Sequence, residues 1–275
     1  MKNVKNKDVR KNRFLSPAIV IVLIICAVVS FAVIKSNSAK PQDNLINTEK
    51  SIGYDEAKSM VKKYAEKNGL SIDDYPESLI ELLGRNSAAK DFVLSYPKEK
   101  DKNHKINMSE YKNSKKVPLF MQWDKRWGYI TYGDDVAGLT GCGPTCLSMV
   151  AVYLLQDTKY SPDYMLEWSK NHGYCVKGSG SSWTLISEGG KKLGLDVTEI
   201  PLVKERVIKN LEVGNPIICV MGPGDFTTKG HFIVMTGYSD GKIKINDPNS
   251  YTNSEKEWDY DDIYDQINNL WVIRN

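Results

Sequence analysis

Cys142, in the run Gly141-Cys142-Gly143-Pro144-Thr145-Cys146, is the residue whose type and surroundings best suit chemistry in this chain of 275 residues. Because proline favours the first turn of a helix, Pro144 predicts that the thiol lies where a loop enters a helix. The N–H groups and the positive end of a helix stabilise a thiolate there, and the flanking glycines let a substrate approach closely. A small buried cysteine in a tight turn would give the same run, so both interpretations stay open.

Three histidines could serve as a base for this thiol, and His231 is the best candidate. His104 lies in a Lys-rich segment that is predicted to be exposed, and His172 lies beside Gly173 in a predicted loop. His231 instead opens the apolar run His231–Tyr238, which predicts a strand. A lone histidine on a strand is usually a core residue, so this assignment depends on a partner carboxylate.

The carboxylate is Asp247, sixteen residues after His231 and joined to it by a predicted hairpin. A three-residue loop, Ser239-Asp240-Gly241, would place Asp247 opposite Ile233 and on the same face as His231. A two-residue turn at Asp240-Gly241 would place the two side chains on opposite faces. The hypothesis of a triad therefore predicts the three-residue loop.

These residues together predict nucleophilic catalysis on an acyl carbon. Asp247 would orient the imidazole of His231, whose other nitrogen would take the proton of Cys142. Such a reaction also requires an oxyanion hole. The backbone N–H of Cys142 is one predicted donor and the side-chain amide of Gln122 is the other, although a surface glutamine in a loop would look the same.

The stretch from Val117 to the C-terminus resembles the papain-fold cysteine peptidases of family thirty-nine, which include the bacteriocin-leader peptidases and standalone relatives. The matching motifs, in chain order, are Gln122-Trp123-Asp124-Lys125-Arg126-Trp127-Gly128, Gly141-Cys142-Gly143-Pro144-Thr145, Gly230-His231-Phe232-Ile233-Val234 and Asn246-Asp247-Pro248. The segment Tyr75–Pro97 also resembles what often precedes this domain in exported relatives.

The resemblance implies an α+β, papain-like fold in which a helix carries Cys142 and an antiparallel sheet carries His231 and Asp247. It further implies that Cys142 is the nucleophile, His231 the general base and acid, Asp247 the orienting residue and Gln122 the oxyanion donor. In the family the glutamine lies only a few residues before the nucleophile, whereas here the gap is twenty residues.

The N-terminus predicts a membrane anchor. Residues 14–34 are 21 uncharged residues rich in Ile, Val and Ala, about the length that spans a bilayer as a helix. A cleaved signal peptide is the alternative, but its apolar stretch is usually shorter. Residues 1–14 carry a net charge of +5, whereas Lys35 is the only charge directly after the span. This asymmetry predicts a cytoplasmic N-terminus and an extracellular remainder.

The remainder divides into a helical part and a catalytic part. Short helices are predicted around Tyr54–Tyr64, from Pro76 onward and around Ala88–Tyr96, the last ended by Pro97. In the catalytic part a helix at Ser182–Leu193 is followed by strands, which favours an α+β fold. The predicted parts are a cytoplasmic tail, a transmembrane signal anchor, a tether with short helices and a Lys-rich connector, and a papain-like peptidase domain, at residues 1–13, 14–34, 35–116 and 117–275.

The predicted activity is that of a membrane-anchored, extracytoplasmic cysteine peptidase acting on a peptide or protein through an acyl-enzyme. Alternatives are a cell-wall peptide hydrolase of the NlpC type, acyl transfer to an amine, and a catalytically silent peptide-binding module. Cleavage of leaders before export is disfavoured, since leader peptidases are fused to a transporter with six spans and an ATPase, and no Walker-type loop is present.

Other classes of function receive no support from the sequence. Outside residues 1–14 the net charge is −2, so a nucleic-acid partner is not expected. Neither Cys-x-x-Cys nor His-Glu-x-x-His occurs, so no metal and no cofactor are expected. Cys146 is predicted to be a core residue rather than a redox partner of Cys142, and Cys175 and Cys219 are left open as a disulfide pair.

Overall fold

Helices make up the first part of the described chain and an antiparallel sheet makes up the last part. The computed structural model describes residues 49–275. Its α-helices are α1 Tyr54–Lys67, α2 Glu77–Arg85, α3 Lys90–Glu99, α4 Ala137–Thr140, α5 Cys142–Leu155, α6 Pro162–Asn171, α7 Gly190–Lys192, α8 Lys204–Glu212, α9 Tyr251–Glu255 and α10 Tyr260–Ile263. Its strands are β1 Thr131–Tyr132, β2 Asp135–Val136, β3 Cys175–Val176, β4 Gly180–Ser181, β5 Asp196–Glu199, β6 Ile217–Met221, β7 His231–Ser239, β8 Lys242–Asn246, β9 Glu257–Trp258 and β10 Ile267–Arg274. The result is a mixed α/β fold.

A six-stranded sheet in the order β5-β10-β6-β7-β8-β9 forms the centre of the part after residue 117. All five neighbouring pairs are antiparallel. One face packs on α5, with Ile218 and Val234 in that core, and the other packs on α8, with Ile217 and Ile233. Strand β6 is central and covered on both faces, so every position in it is buried. Such a strand is apolar throughout.

Helix α5 is apolar on all sides because it is enclosed on all sides. Its residues 143–152 are all buried, as expected for a helix in the middle of a core. The helix begins at Cys142, with Pro144 in its first turn as predicted, and it ends before Gln156, which is left-handed with φ 52°.

The hairpin between β7 and β8 differs from its prediction. Ser239 pairs with Lys242, so the turn is the two-residue turn Asp240-Gly241, with φ 55° and 81°, and the predicted three-residue loop is wrong. The pairing shifts by one residue between Met235 and Gly237, where a bulge leaves Thr236 unpaired. Because one extra residue reverses the alternation of faces, the bulge offsets the shorter turn and returns Asp247 to a position opposite Ile233.

The predicted helices of the first part are present as α1, α2 and α3, but Pro97 does not end the third. It lies inside α3, which continues to Glu99. A proline in the last turn of a helix removes only one hydrogen bond, so two further residues stay helical. Ser182–Leu193 is also less regular than predicted: a π-helix, Leu185–Gly189, leads directly into α7.

The three N-terminal helices share one core with the residues that follow them. Phe92 is buried and stacks on Tyr129, with ring centroids 4.6 Å apart. A Cβ atom at Gly138 would lie 2.4 Å from the ring of Phe92, so only a glycine permits this contact. Met121 and Trp123 belong to the same cluster. Residues 54–99 therefore pack directly onto residues that follow Val117.

The predicted basic tail, the span 14–34 and the first part of the tether lie outside the described residues. Within residues 49–275, none of the helices combines the length and the apolar character that crossing a membrane requires.

Because the helices share this core, Phe92→Ala should destabilise residues 49–275 as a unit. We expect a loss of about 3–5 kcal/mol in the free energy of unfolding, the usual cost of truncating a buried phenylalanine. Urea denaturation followed by tryptophan fluorescence should show one transition at a lower midpoint. The exposed substitution Lys62→Ala is the control, and two separate transitions of which only one shifts would contradict the shared core.

Candidate active site

Cys142 is the first residue of helix α5 and is half-buried. A Cβ atom at Gly143 would lie 2.9 Å from the hydroxyl of Ser181, so the glycine lets the β4 strand approach the start of the helix. The hydroxyl groups of Ser181 and Tyr132 lie 2.7 Å apart in a buried hydrogen bond beside it. The thiol is thus at the positive end of a helix, and the hydroxyl groups of Ser181 and Tyr132 lie beside the start of that helix.

The imidazole of His231 faces the Cys142 thiol. Burial alone would raise the pKa of the thiol, but the polar contact with His231 and the charge of its imidazole outweigh that effect. Backbone N–H groups of Phe232 and Gly143 act in the same direction, so the pKa of Cys142 lies below that of an ordinary thiol.

The imidazole of His231 lies between this thiol and the carboxylate of Asp247. Nε2 of His231 is 2.7 Å from Oδ1 of Asp247, and the two residues are 8% and 1% exposed. Burial alone would lower the pKa of His231, but the charge of Asp247 and the hydrogen bonds to Asp247 and Cys142 raise it above its ordinary value. With Nε2 engaged, Nδ1 is the ring nitrogen left for the thiol.

Further hydrogen bonds hold Asp247, and the sequence analysis did not single out its partners Asn249, Asn253 and Ser254. The N–H of Asn249 donates to Oδ1 over 2.8 Å, and Nδ2 of Asn253 donates to Oδ2 over 2.8 Å. The N–H of Asp247 itself donates to the hydroxyl of Ser254 over 2.9 Å. The run of Asn and Ser after Asp247 is the only sequence signal for this network.

Strand β7 brings the thiol and the imidazole together through the backbone of Phe232. Its N–H points to the sulfur of Cys142, and its carbonyl accepts a hydrogen bond from the thiol of Cys146 over 3.3 Å. Strand β8 ends at Asn246, so the start of α5 occupies the edge of β7 beyond that point.

Cys146 is fully buried, and burial raises the pKa of its thiol. Its position in the core agrees with the prediction.

Gln122 lies between the Asp247 loop and the turn that leads into Cys142. Its backbone N–H donates to the carbonyl of Pro248 over 2.7 Å, and its side-chain Nε2 donates to the carbonyl of Gly138 over 2.9 Å. The side chain is 4% exposed and its Oε1 has no partner. The hairpin β1-β2 and helix α4 lie in the interval between Gln122 and Cys142. The chain leaves Gln122 through this hairpin and comes back to Gln122 at Gly138.

The two other histidines bond to the protein backbone. His104 and His172 contact backbone carbonyls, those of Glu99 and Trp168. Trp183 is 45% exposed and packs edge-on against Trp271.

Cys175 and Cys219 are both free, so no disulfide joins them. Cys219 lies in the core on the α8 face of the sheet, and Cys175 packs against the core on the other face. Among residues 49–275 no group of three or more His, Cys, Asp and Glu side chains is arranged to bind a metal ion.

Comparison with known proteins shows the family. The sequence profile described as the Peptidase_C39 like family matches residues 114–274, and the chain belongs to this family. No curated protein matches the sequence.

The solved structures to which this chain is similar include two peptidase domains of ComA. The domain of Streptococcus ComA, a bi-functional ABC transporter involved in a quorum-sensing pathway, is 19% identical, with a TM-score of 0.40 over 57% of this chain and 98% of that one. A C39-like peptidase from Bacillus anthracis is 16% identical, with a TM-score of 0.39 over 58% and 94%. The Streptococcus mutans ComA domain, solved with a small-molecule inhibitor, is 16% identical, with a TM-score of 0.36 over 57% and 99%.

The lowered pKa of Cys142, at a helix start beside an imidazolium, predicts alkylation at a lower pH than an ordinary thiol requires. In wild-type protein, the rate of labelling of Cys142 by iodoacetamide should be half-maximal below the pH of about 8.5 that is typical of an ordinary thiol. In His231→Ala the pKa should rise and labelling should require alkaline pH, because the imidazolium no longer stabilises the thiolate. Mass spectrometry of the adduct measures the rate at each pH.

Cys175 serves as an internal control for this experiment, since burial raises the pKa of its thiol. It should label slowly at acidic pH in both proteins. A Cys142 profile that matches an ordinary thiol and does not change in His231→Ala would contradict the ion pair.

Proposed function

We propose that this protein is a papain-like cysteine peptidase that hydrolyses peptide bonds through an acyl-enzyme. One observation carries the proposal: the imidazole of His231 bridges the thiol of Cys142 and the buried carboxylate of Asp247. The carboxylate stabilises a positive charge on the imidazole, and that charge stabilises a thiolate, so the three groups suit a thiolate nucleophile paired with an imidazolium acid. Membership of a peptidase family gives the substrate class as peptide or protein.

In the proposed mechanism the thiolate of Cys142 attacks the carbonyl carbon of the scissile amide. The imidazolium of His231 then gives its proton to the leaving amine, the C–N bond breaks, and an acyl-thioester remains on Cys142. The neutral imidazole next takes a proton from water, whose oxygen attacks the thioester carbon. The C–S bond breaks, the acid leaves, and the thiolate of Cys142 and the imidazolium of His231 are restored. Throughout, Asp247 holds His231 in one orientation and stabilises its charge.

Gln122 and the backbone N–H of Cys142 are the proposed donors of the oxyanion hole. A side-chain amide nitrogen carries two hydrogens, and the carbonyl of Gly138 uses one of those on Gln122. The second is available for the oxyanion of the tetrahedral intermediate. The bond to Gly138 also holds the amide rigidly, as an oxyanion donor requires.

We also propose that the peptidase domain lies outside the cell on a single-pass anchor, residues 14–34. The 21 uncharged residues and the excess of positive charge before them support this location. Protease added to right-side-out membrane vesicles should digest residues 49–275, while a version truncated to residues 35–275 should appear in the soluble fraction. Protection from protease, or retention of the truncated chain on the membrane, would contradict the anchor.

The activity is tested with a library of peptides of natural sequence, with cleavage sites identified by mass spectrometry. Cys142→Ala should abolish cleavage. Gln122→Ala should lower kcat by about 100–1000-fold, the usual cost of losing one oxyanion donor, with a small change in KM. In water enriched in oxygen-18 the new carboxyl groups should carry the label, which separates hydrolysis from acyl transfer to an amine.

A matched control is Gln266→Ala, because this amide bonds to Asp225 in the loop 222–230 without contacting the thiol or its partners. It should leave kcat close to that of wild type. Cleavage only of wall-derived peptides with D-amino acids would favour the NlpC-type alternative. No cleavage of either class, with an ordinary thiol at Cys142, would favour the silent binding module.

A further inference from the structure

The loop that carries Asp247 is in contact with residues far upstream of the matched family region. That region begins at residue 114, whereas Glu49 and Asn86 precede it. Both bond to the segment 249–252, directly after the proposed orienting carboxylate. These contacts span 163 to 203 positions of sequence, so only tertiary structure brings them together.

The first line of contacts reaches Oδ1 of Asp247. Nδ2 of Asn86 donates to the carbonyl of Asn249 over 2.7 Å, and the N–H of the same Asn249 donates to Oδ1 over 2.8 Å. Asn86 is 6% exposed, and its own Oδ1 accepts from the N–H of Ala88, so its side chain is held at both ends. Residue 249 is thereby fixed between the helical segment and the carboxylate.

The second line of contacts reaches Oδ2. The carboxylate of Glu49 accepts hydrogen bonds from the hydroxyl of Ser250 and the N–H of Thr252. Ser250 in turn caps helix α9 by accepting from the N–H of Asn253 over 3.0 Å. The side chain of Asn253 completes the line, since its Nδ2 donates to Oδ2 of Asp247 over 2.8 Å.

The two lines hold both oxygens of one buried carboxylate. A carboxylate with an exposed surface could find replacement donors in water, but Asp247 is 1% exposed and depends on these partners. A small displacement of the loop would lengthen the bond between Asp247 and His231. The imidazolium would then be less stable, and the pKa of the Cys142 thiol would rise toward its ordinary value.

We infer that Glu49 and Asn86 are positioning residues of the active site, so that the helical segment 49–99 completes the catalytic geometry of the domain that follows it. This inference rests on the proposed function, because it assigns a role to Asp247 as the residue that orients His231. It gives residues outside the family region a part in forming the thiolate.

The test uses the full chain and the pH profile of Cys142 alkylation by iodoacetamide, which needs no substrate. Asn86→Ala and Glu49→Ala should raise the apparent pKa of Cys142, and each unit of that rise slows labelling at pH values below the pKa by about tenfold. Glu49→Gln should fall between Glu49→Ala and wild type, since an amide oxygen can still accept from Ser250.

The matched controls are Asn68→Ala and Glu77→Ala. These side chains make the same kinds of bond within the helical segment, to the carbonyl of Tyr64 and the hydroxyl of Tyr54, without reaching the Asp247 loop. Both controls should keep the wild-type pH profile. A purely structural role for Glu49 and Asn86 would lower the thermal midpoint of unfolding and leave that profile unchanged, which would overturn the inference.

The outcomes separate the inference from the proposed function. If wild-type Cys142 labels at acidic pH and both Glu49→Ala and Asn86→Ala match it, the inference is wrong and the proposed function stands. If wild-type Cys142 labels only as an ordinary thiol, both are wrong. Should Asn86→Ala fail to fold, Glu49→Ala and Glu49→Gln still decide, because Glu49 is half-buried and precedes the first helix.

Discussion

The buried carboxylate of Asp247 is the constraint on which the rest of this structure depends. A charge removed from water costs several kcal/mol unless partners replace the lost solvation. Asp247 meets that requirement with His231 and with N–H groups of Asn249 and Asn253. The same bonds that make the carboxylate tolerable also aim it, since donors on several sides leave it one orientation. The imidazole of His231 is therefore held in one orientation, and its charge lowers the pKa of the Cys142 thiol.

Several features of the fold bring the side chains of Cys142, His231 and Asp247 together. The bulge at Thr236 sets the pairing of Asn246 with Val234, one position before Asp247. The early end of β8 leaves the backbone of Phe232 free to contact helix α5. The helix begins at Cys142 itself, so its positive end lies at the sulfur. Each feature positions one of the three side chains through the backbone that carries it.

The helices before the family region take part in the same geometry. They contribute Phe92 to a core shared with Tyr129, and they contribute Asn86 to the loop after Asp247. The contacts with the core and the contacts with the loop therefore come from the same helical segment. The residues of this support are single polar side chains at no fixed spacing, so no sequence motif marks them.

The sequence by itself determined the local features: a glycine-flanked cysteine at a helix start, the strand that His231 opens, the order of helices before strands, and the family resemblance. These depend on neighbours in the chain, which periodicity and turn chemistry record. The tertiary structure alone decided the turn and bulge of the hairpin, because a two-residue turn with one bulge and a three-residue loop place Asp247 on the same face. It also decided the return of Gln122 to Gly138 and the contact of Asn86 with Asn249. Such contacts are set by the packing of whole elements, and no short stretch of sequence carries them.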